Sequence, residues 1–215
     1  NKIIEQYEYY MKQEKSNYKD LLNNTNRRVS LQLFILWYIV SYVYYGLIYI
    51  LPQIYSKTQS DIITPEAYNE IISNVILSCL FEIPTDIINA LLPNTIGRIN
   101  TILIGFLFST TFNFLSYIHK PWIPILASLS KGAINISFGV LYTYTIEAYP
   151  TYMRTTALGM NNFFSRIGGF TTPIINQYIF TLNEYFPFIG FSAASLLGVL
   201  LTYFLPFETL GRATY

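Results

Sequence analysis

Six apolar stretches, at about 30–54, 67–92, 99–119, 122–147, 154–180 and 185–206, dominate the chain. Each is near or above the ~20 residues that an α-helix needs to cross the hydrocarbon core of a bilayer. Lipid offers no hydrogen bonds to the backbone, so segments of this length satisfy themselves as helices. The connections are mostly short. Residues 55–66 form a polar loop, 93–98 (PNTIGR) a tight turn, and His119-Lys120-Pro121 another. AYPTYMR and LNEYFP complete the set. The expected fold is an all-α membrane protein of six transmembrane helices. Pro52, Pro84, Pro124 and Pro173 lie in or near the spans and are candidate kink sites.

Composition agrees. Of the 215 residues, 52% are hydrophobic and 12% charged, where a soluble domain carries about 25% charge. A formal net charge of +1 gives no reason to expect nucleic acid as a partner. One cysteine, Cys79, and one histidine, His119, build neither a disulfide framework nor a usual zinc site. With no cluster of His, Cys or carboxylates, no enzyme, metal or cofactor is expected. The N-terminus is polar and lacks a signal-peptide pattern.

Three regions follow. Residues 1–29 read as a cytoplasmic amphipathic helix and linker, with Ile3, Ile4, Tyr7, Tyr10 and Met11 at helical spacing. Residues 30–206 form the transmembrane bundle, and 207–215 a cytoplasmic tail. With the N-terminus inside, Arg27, Arg28, Arg98, Arg154, Arg212 and the four lysines before residue 20 all fall on the inner face. The outer loops hold Lys57 and Lys120. This bias places both termini in the cytoplasm.

Charged side chains within spans are costly and face a protein interior or a water-filled path. Glu82 lies ten residues from the inner end of the second span, Lys131 nine from the outer start of the fourth, and Arg166 twelve from the inner start of the fifth. At 1.5 Å per residue the depths are roughly 15, 14 and 18 Å, all near the midplane. Three charges at one depth predict a shared cavity. Helical spacing adds Asn135, Phe138 and Tyr142 to the Lys131 face, and Asn162, Gly169 and Pro173 to the Arg166 face. Trp37, Ser41 and Tyr44 share a face of the first span. Two positive groups and one negative suit an anionic or zwitterionic solute better than a simple cation. Plainer readings stand beside this one: a structural Glu82 bridge to Lys131 or Arg166, outward snorkelling of Lys131, and helix packing for the aromatic faces. Asp86, one turn past Glu82, reads as a polar group near the inner membrane surface. Gly132, Gly168 and Gly169 read as close-packing sites.

The hinge YTYTIEAYPTYMRTTALG resembles the segment between helices ten and eleven of major facilitator superfamily transporters. With Glu147, Tyr149-Pro150-Thr151 and Arg154 it resembles the organic ion branch, which includes organic cation, organic anion and carnitine transporters. Sugar porters have a related hinge. FEIP (Glu82, Pro84), SKGAINISF and LWYIVSYVYYGL are similar to that branch's eighth, tenth and seventh helices. LPFETLGR at 205–212 resembles its terminal LPET-G stretch, with Phe207 inserted. PNTIGRIN resembles the loop after helix eight, but Asn94 and Thr95 stand where an acidic and a further basic residue are usual.

The resemblance covers about residues 27–212 and implies helices seven to twelve, the C-terminal half of a twelve-helix transporter. It places Tyr44, Glu82, Lys131, Phe138 and Arg166 at or near a substrate cavity, and Arg98, Glu147 and Arg154 in gating contacts at the inner face. At the position of Arg166 the cation transporters of the branch have Asp, and the anion and carnitine transporters Arg. The implied function is transport of a small organic solute by alternating access, across the plasma membrane or an organellar membrane. The partners implied are the lipid bilayer, the solute and an N-terminal six-helix half, in the same chain or a separate one. Two alternatives remain open: a degenerate, non-transporting subunit of a larger membrane complex, and a sugar-porter-like carrier.

Overall fold

The computed structural model describes residues 18–23, 26–58 and 65–211. The amphipathic pattern at Ile3–Met11 and the basic Arg212 lie outside them. The helices are α1 (Arg27–Thr58), α2 (Pro65–Leu80), α3 (Glu82–Ile96), α4 (Arg98–Ile118), α5 (Ile123–Ala148), α6 (Arg154–Leu182) and α7 (Phe186–Tyr203). No strand occurs among the described residues. α2 and α3 together make one span, so the bundle has the six spans expected. Five are long and apolar enough to cross a membrane. The sixth, α6, has the length at 29 residues, but Arg154, Asn161, Asn162, Arg166, Asn176 and Gln177 make it more polar than the rest.

Local chemistry sets the ends. Tyr149 precedes Pro150, whose ring disfavours helical geometry in the residue before it. Tyr149 is accordingly extended (φ −115°, ψ 148°), and α5 stops at Ala148. Asn183 ends α6 and accepts the Tyr185 N–H through its side chain at 2.9 Å, a local bond that favours a turn. The second span breaks at Phe81, between α2 and α3. Pro84 has no N–H, so the Leu80 carbonyl four residues earlier loses its main-chain donor there.

α1, α4 and α6 begin at the end of the bundle where α3, α5 and α7 finish. As a result the AYPTYMR hinge at 148–154, the start of α1 and the end of α7 share one end of the bundle, called here the hinge end. α1 is the central element. Of its apolar window 67% is buried, against 6% for the second span, which therefore lies at the edge. Leu33, Leu36, Trp37 and Leu47 of α1 are fully buried. Before it, the turn Tyr18–Leu22 is anchored by buried Leu21, whose carbonyl accepts Ser30 Oγ at 2.7 Å.

Helices in lipid gain little from hiding apolar surface, so close packing and interhelical hydrogen bonds hold them together. The polarity of the bundle follows this rule. Ile76, Leu80, Ile83, Ile87, Leu91, Ile174 and Leu200 are exposed, while Ser109, Ser130, Thr172, Asn176 and Ser195 are fully buried. α1 and α6 form one seam. Tyr38 Oη meets Thr171 Oγ1 at 3.0 Å, Tyr42 Oη donates to Asn176 Oδ1 at 3.2 Å, and Ser41 bonds Ser165. A Cβ on Gly168 would stand 2.6 Å from the Tyr38 carbonyl oxygen, so the backbones meet as the glycine pair suggests. α4, α5 and α7 form a second unit joined by Ser109, Ser130 and Ser195.

Candidate functional site

The break in the second span puts Glu82 on the first turn of α3, partway along the bundle. Backbone N–H groups at a helix start favour a carboxylate. Tyr44 of α1 donates its hydroxyl to Glu82 Oε1 at 2.9 Å, and Lys131 Nζ of α5 lies 3.1 Å from the same oxygen. The Lys131 and Glu82 side chains are 5% and 22% exposed. Lys131 Nζ also lies 3.9 Å from Cys79 Sγ and 6.0 Å from the Tyr44 ring centre. Phe138 packs edge-on against Tyr44 at 6.0 Å and Trp37 at 5.8 Å. Four of the expected cavity residues, Tyr44, Glu82, Lys131 and Phe138, are thus one cluster. Lys131 does not snorkel; it turns inward to Glu82. One turn along, Asn135 donates to Asp86 at 2.7 Å.

Arg166 is not in that cluster. It lies twelve residues into α6, about 18 Å from the hinge end, and is exposed on the bundle. Among the described residues it makes no hydrogen bond and no ion pair. It lines a pocket of about 600 Å³ with Tyr45, Ile48, Tyr49, Phe170 and Pro173. The single shared cavity expected for the three charges divides into a neutralised cluster and a separate cationic pocket. Tyr44 and Tyr45, with rings 5.4 Å apart, stand between them.

The hinge end holds a third set. Arg98 grips Glu147 with two bonds, Nε to Oε2 at 3.1 Å and Nη2 to Oε1 at 3.0 Å, and donates Nη1 to the Pro93 carbonyl at 2.9 Å. Thr209 Oγ1 donates to Glu147 Oε2 at 2.6 Å. Arg154 is not part of this set; its Nε donates to the Tyr149 carbonyl at 3.2 Å and its Nη2 is buried without a partner. Asn94 and Thr95 bond back to their own helix, at Ala90 and Leu92.

Sequence reasoning missed Glu208. Its carboxylate accepts the Arg98 and Ile99 N–H groups, both at 2.9 Å, and so caps α4 from the far end of the chain. It also accepts the N–H groups of Thr209 and Leu210. Burial opposes its ionisation, but these four backbone donors outweigh burial and hold its carboxyl below the ordinary value of 4.5. Residues 207–210 therefore fold back on the bundle, and Tyr144 Oη donates to the Phe207 carbonyl at 2.9 Å. One signal was available: α4 begins with neither a capping side chain of its own nor an acidic first turn, which leaves donors to be met from elsewhere. Gly97 completes the joint, with φ +96° and room for no Cβ, which would lie 2.8 Å from Glu208 Oε2.

No family model matches the chain. Individual proteins do. It is 29% identical to SVOPL of Danio rerio, named as a presumed transporter, over 93% of this chain and 44% of that protein. It is 27% identical to organic cation/carnitine transporter 2 of Homo sapiens, over 91% of this chain and 33% of that protein. It is 24% identical to the synaptic vesicle 2-related protein of Rattus norvegicus, over 94% and 40% respectively. The chain therefore spans well under half the length of these relatives. These relatives are of the major facilitator type, and the first two carry transporter names. Over nine-tenths of its length this chain is similar to proteins of the major facilitator type, and five of its helices are long and apolar enough to cross a membrane.

Proposed function

We propose that the chain is the C-terminal half of a transporter that moves a small organic solute, anionic or zwitterionic, by alternating access. The N-terminal half, in the same polypeptide or another, supplies the second wall, and the two halves rock about a site near the midplane. The hinge end faces the cytoplasm, a reading supported by the arginine and lysine distribution. The observation that carries this reading is Arg166. It is a guanidinium at membrane depth with no counter-charge among the described residues, and such a group marks a solute path by default. Tyr44, Glu82, Lys131 and Phe138 form the adjoining wall. Arg98 and Glu147 fasten α4 to α5 at the cytoplasmic side, and Arg154 braces the hinge itself. These contacts hold the arrangement in which that side is closed by charge pairs.

The test is uptake by the full-length protein carrying Arg166→Asp, which reverses the charge at one position. Anion uptake is expected to fall to background, with any gain on the cation side. Unchanged anion uptake would remove Arg166 from the site. A full-length protein that moves no solute from a broad ionic panel would favour a non-transporting membrane subunit instead.

A further inference from the structure

We infer that the second span is a jointed arm. Its half nearer the hinge end, α3, is fixed to α5; its other half, α2, pivots at Phe81 as a lid on the opposite end of the bundle. That the lid covers a solute path rests on the transport reading; the joint itself does not. α3 and α5 both run toward the hinge end, so their residues pair in parallel order, turn by turn. Lys131 Nζ meets Glu82 at 3.1 Å, and Asn135, one turn later, donates to Asp86 at 2.7 Å. Around these pairs the glycines of α5 admit the side chains of α3. A Cβ on Gly132 would lie 2.8 Å from Thr85 Cγ2, and one on Gly139 would overlap Asn89 Nδ2. Close approach at small residues and buried polar pairs are what bind helices in lipid. At the base, Arg98 bonds the Pro93 carbonyl near the end of α3 and grips Glu147 of α5.

α2 is placed differently. Ile72, Ile76 and Leu80 are exposed, and the buried Ser78 turns its hydroxyl back to the Val75 carbonyl of its own helix at 2.8 Å. α2 touches the charged cluster through Cys79 Sγ, 3.9 Å from Lys131 Nζ, in the last turn before the break. The Phe81 N–H bonds the Leu77 carbonyl at 3.1 Å and closes α2. The Phe81 carbonyl would meet a Cβ on Gly132 at 3.4 Å, so the pivot is seated on α5. Pro84 offers no N–H to the Leu80 carbonyl, and its ring crowds that oxygen. Bending there breaks no main-chain bond from residue 84 to residue 80, which is what lets a proline joint act as a hinge. Movement of α2 parts Cys79 from Lys131 and leaves Lys131 on Glu82.

The experiment measures spin-label distances in the full-length protein in lipid nanodiscs, with its native cysteines replaced, Cys79→Ser among them. One pair, Ile76→Cys with Ile189→Cys, runs from α2 to the start of α7. The other, Leu91→Cys with Leu200→Cys, runs from α3 to the end of α7. All four native side chains are exposed. The first pair should give a distance distribution about twice as wide as the second, or wider. Pro84→Ala restores the N–H and should narrow the first pair to the width of the second. Gly139→Ala drives Asn89 off α5 and should widen the second pair. Equal widths in the parent, a first pair unmoved by Pro84→Ala, or a second pair unmoved by Gly139→Ala overturns the inference. Uptake separates the lid from the joint: Pro84→Ala should slow it by about fivefold or more. Uptake equal to the parent's with the distances narrowed overturns the lid. A parent with the two expected widths that moves nothing from an ionic panel keeps the joint and overturns the transport reading instead.

Discussion

Replacing Lys131 with methionine isolates what the charge pair does. At 3.1 Å and an effective dielectric of ~20, the gross attraction between Lys131 and Glu82 is about 5 kcal/mol, much of it offset by the loss of water around both groups. Removing one member of a buried pair costs about 3–5 kcal/mol, because the other is left uncompensated. Glu82 is the more exposed partner, at 22% of its side chain, keeps the Tyr44 hydroxyl, and sits on the first turn of α3. Lys131→Met should therefore fall below that range, at about 2–3 kcal/mol. Glu82→Leu is the harsher change. It leaves an ammonium that is 5% exposed with Cys79 Sγ, 3.9 Å away, as its remaining polar contact. That loss should approach about 4 kcal/mol. The double variant removes both charges and should return to within about 1 kcal/mol of the parent. At about 2–4 °C per kcal/mol, the single variants lower the apparent melting temperature of detergent-purified full-length protein by about 5–15 °C, and the double by far less. Single variants that melt with the parent, or a double variant no better than the worse single, would refute the claim that mutual neutralisation is what allows Lys131 to be buried.

Two predictions concern the hinge end. Glu208→Gln should destabilise the full-length protein by about 1–2 kcal/mol at neutral pH, since it removes the charge that caps α4. The Glu208 carboxyl is held below its ordinary 4.5 in the folded protein. Its contribution is therefore complete above that value and is lost as pH falls through 4.5 to the lowered folded value; melting curves of parent and variant should converge over that acid range. Gly97→Ala should cost about 1–3 kcal/mol for the backbone alone, whose φ of +96° and ψ of 161° suit glycine. Because its new Cβ strikes Glu208 Oε2, combining it with Glu208→Gln should cost less than the sum, which a double-mutant melting cycle measures.

The spans were legible because a bilayer imposes a length and an apolar composition that few other folds share. The hinge was legible because Pro150 forbids helix at Tyr149 and charges gather on both sides. The two-part second span was half visible. Pro84 announced a disturbance, yet whether it bends or breaks a helix depends on what replaces the missing bond. Position along a helix is what the sequence supplied for Glu82, Lys131 and Arg166, and it is one coordinate of three. The angle around the bundle decides which charges meet, and that angle comes from how α5 and α6 pack on α1. So Lys131 found Glu82 and Arg166 found neither. Glu208 was hidden for another reason. No local pattern connects a carboxylate to backbone donors so far away in sequence, and only the uncapped start of α4 hinted that something must come.

That joint has a consequence for how the bundle is made. The Arg98 N–H that Glu208 accepts lies 110 residues earlier in the chain. At ~5–20 residues per second, α4 leaves the ribosome roughly 6–22 s before its cap exists. Until then the start of α4 can be met by water or lipid headgroups but not by its native partner. The hinge end is thus assembled last, and a chain that stops short of Glu208 carries every span yet lacks the group that closes them.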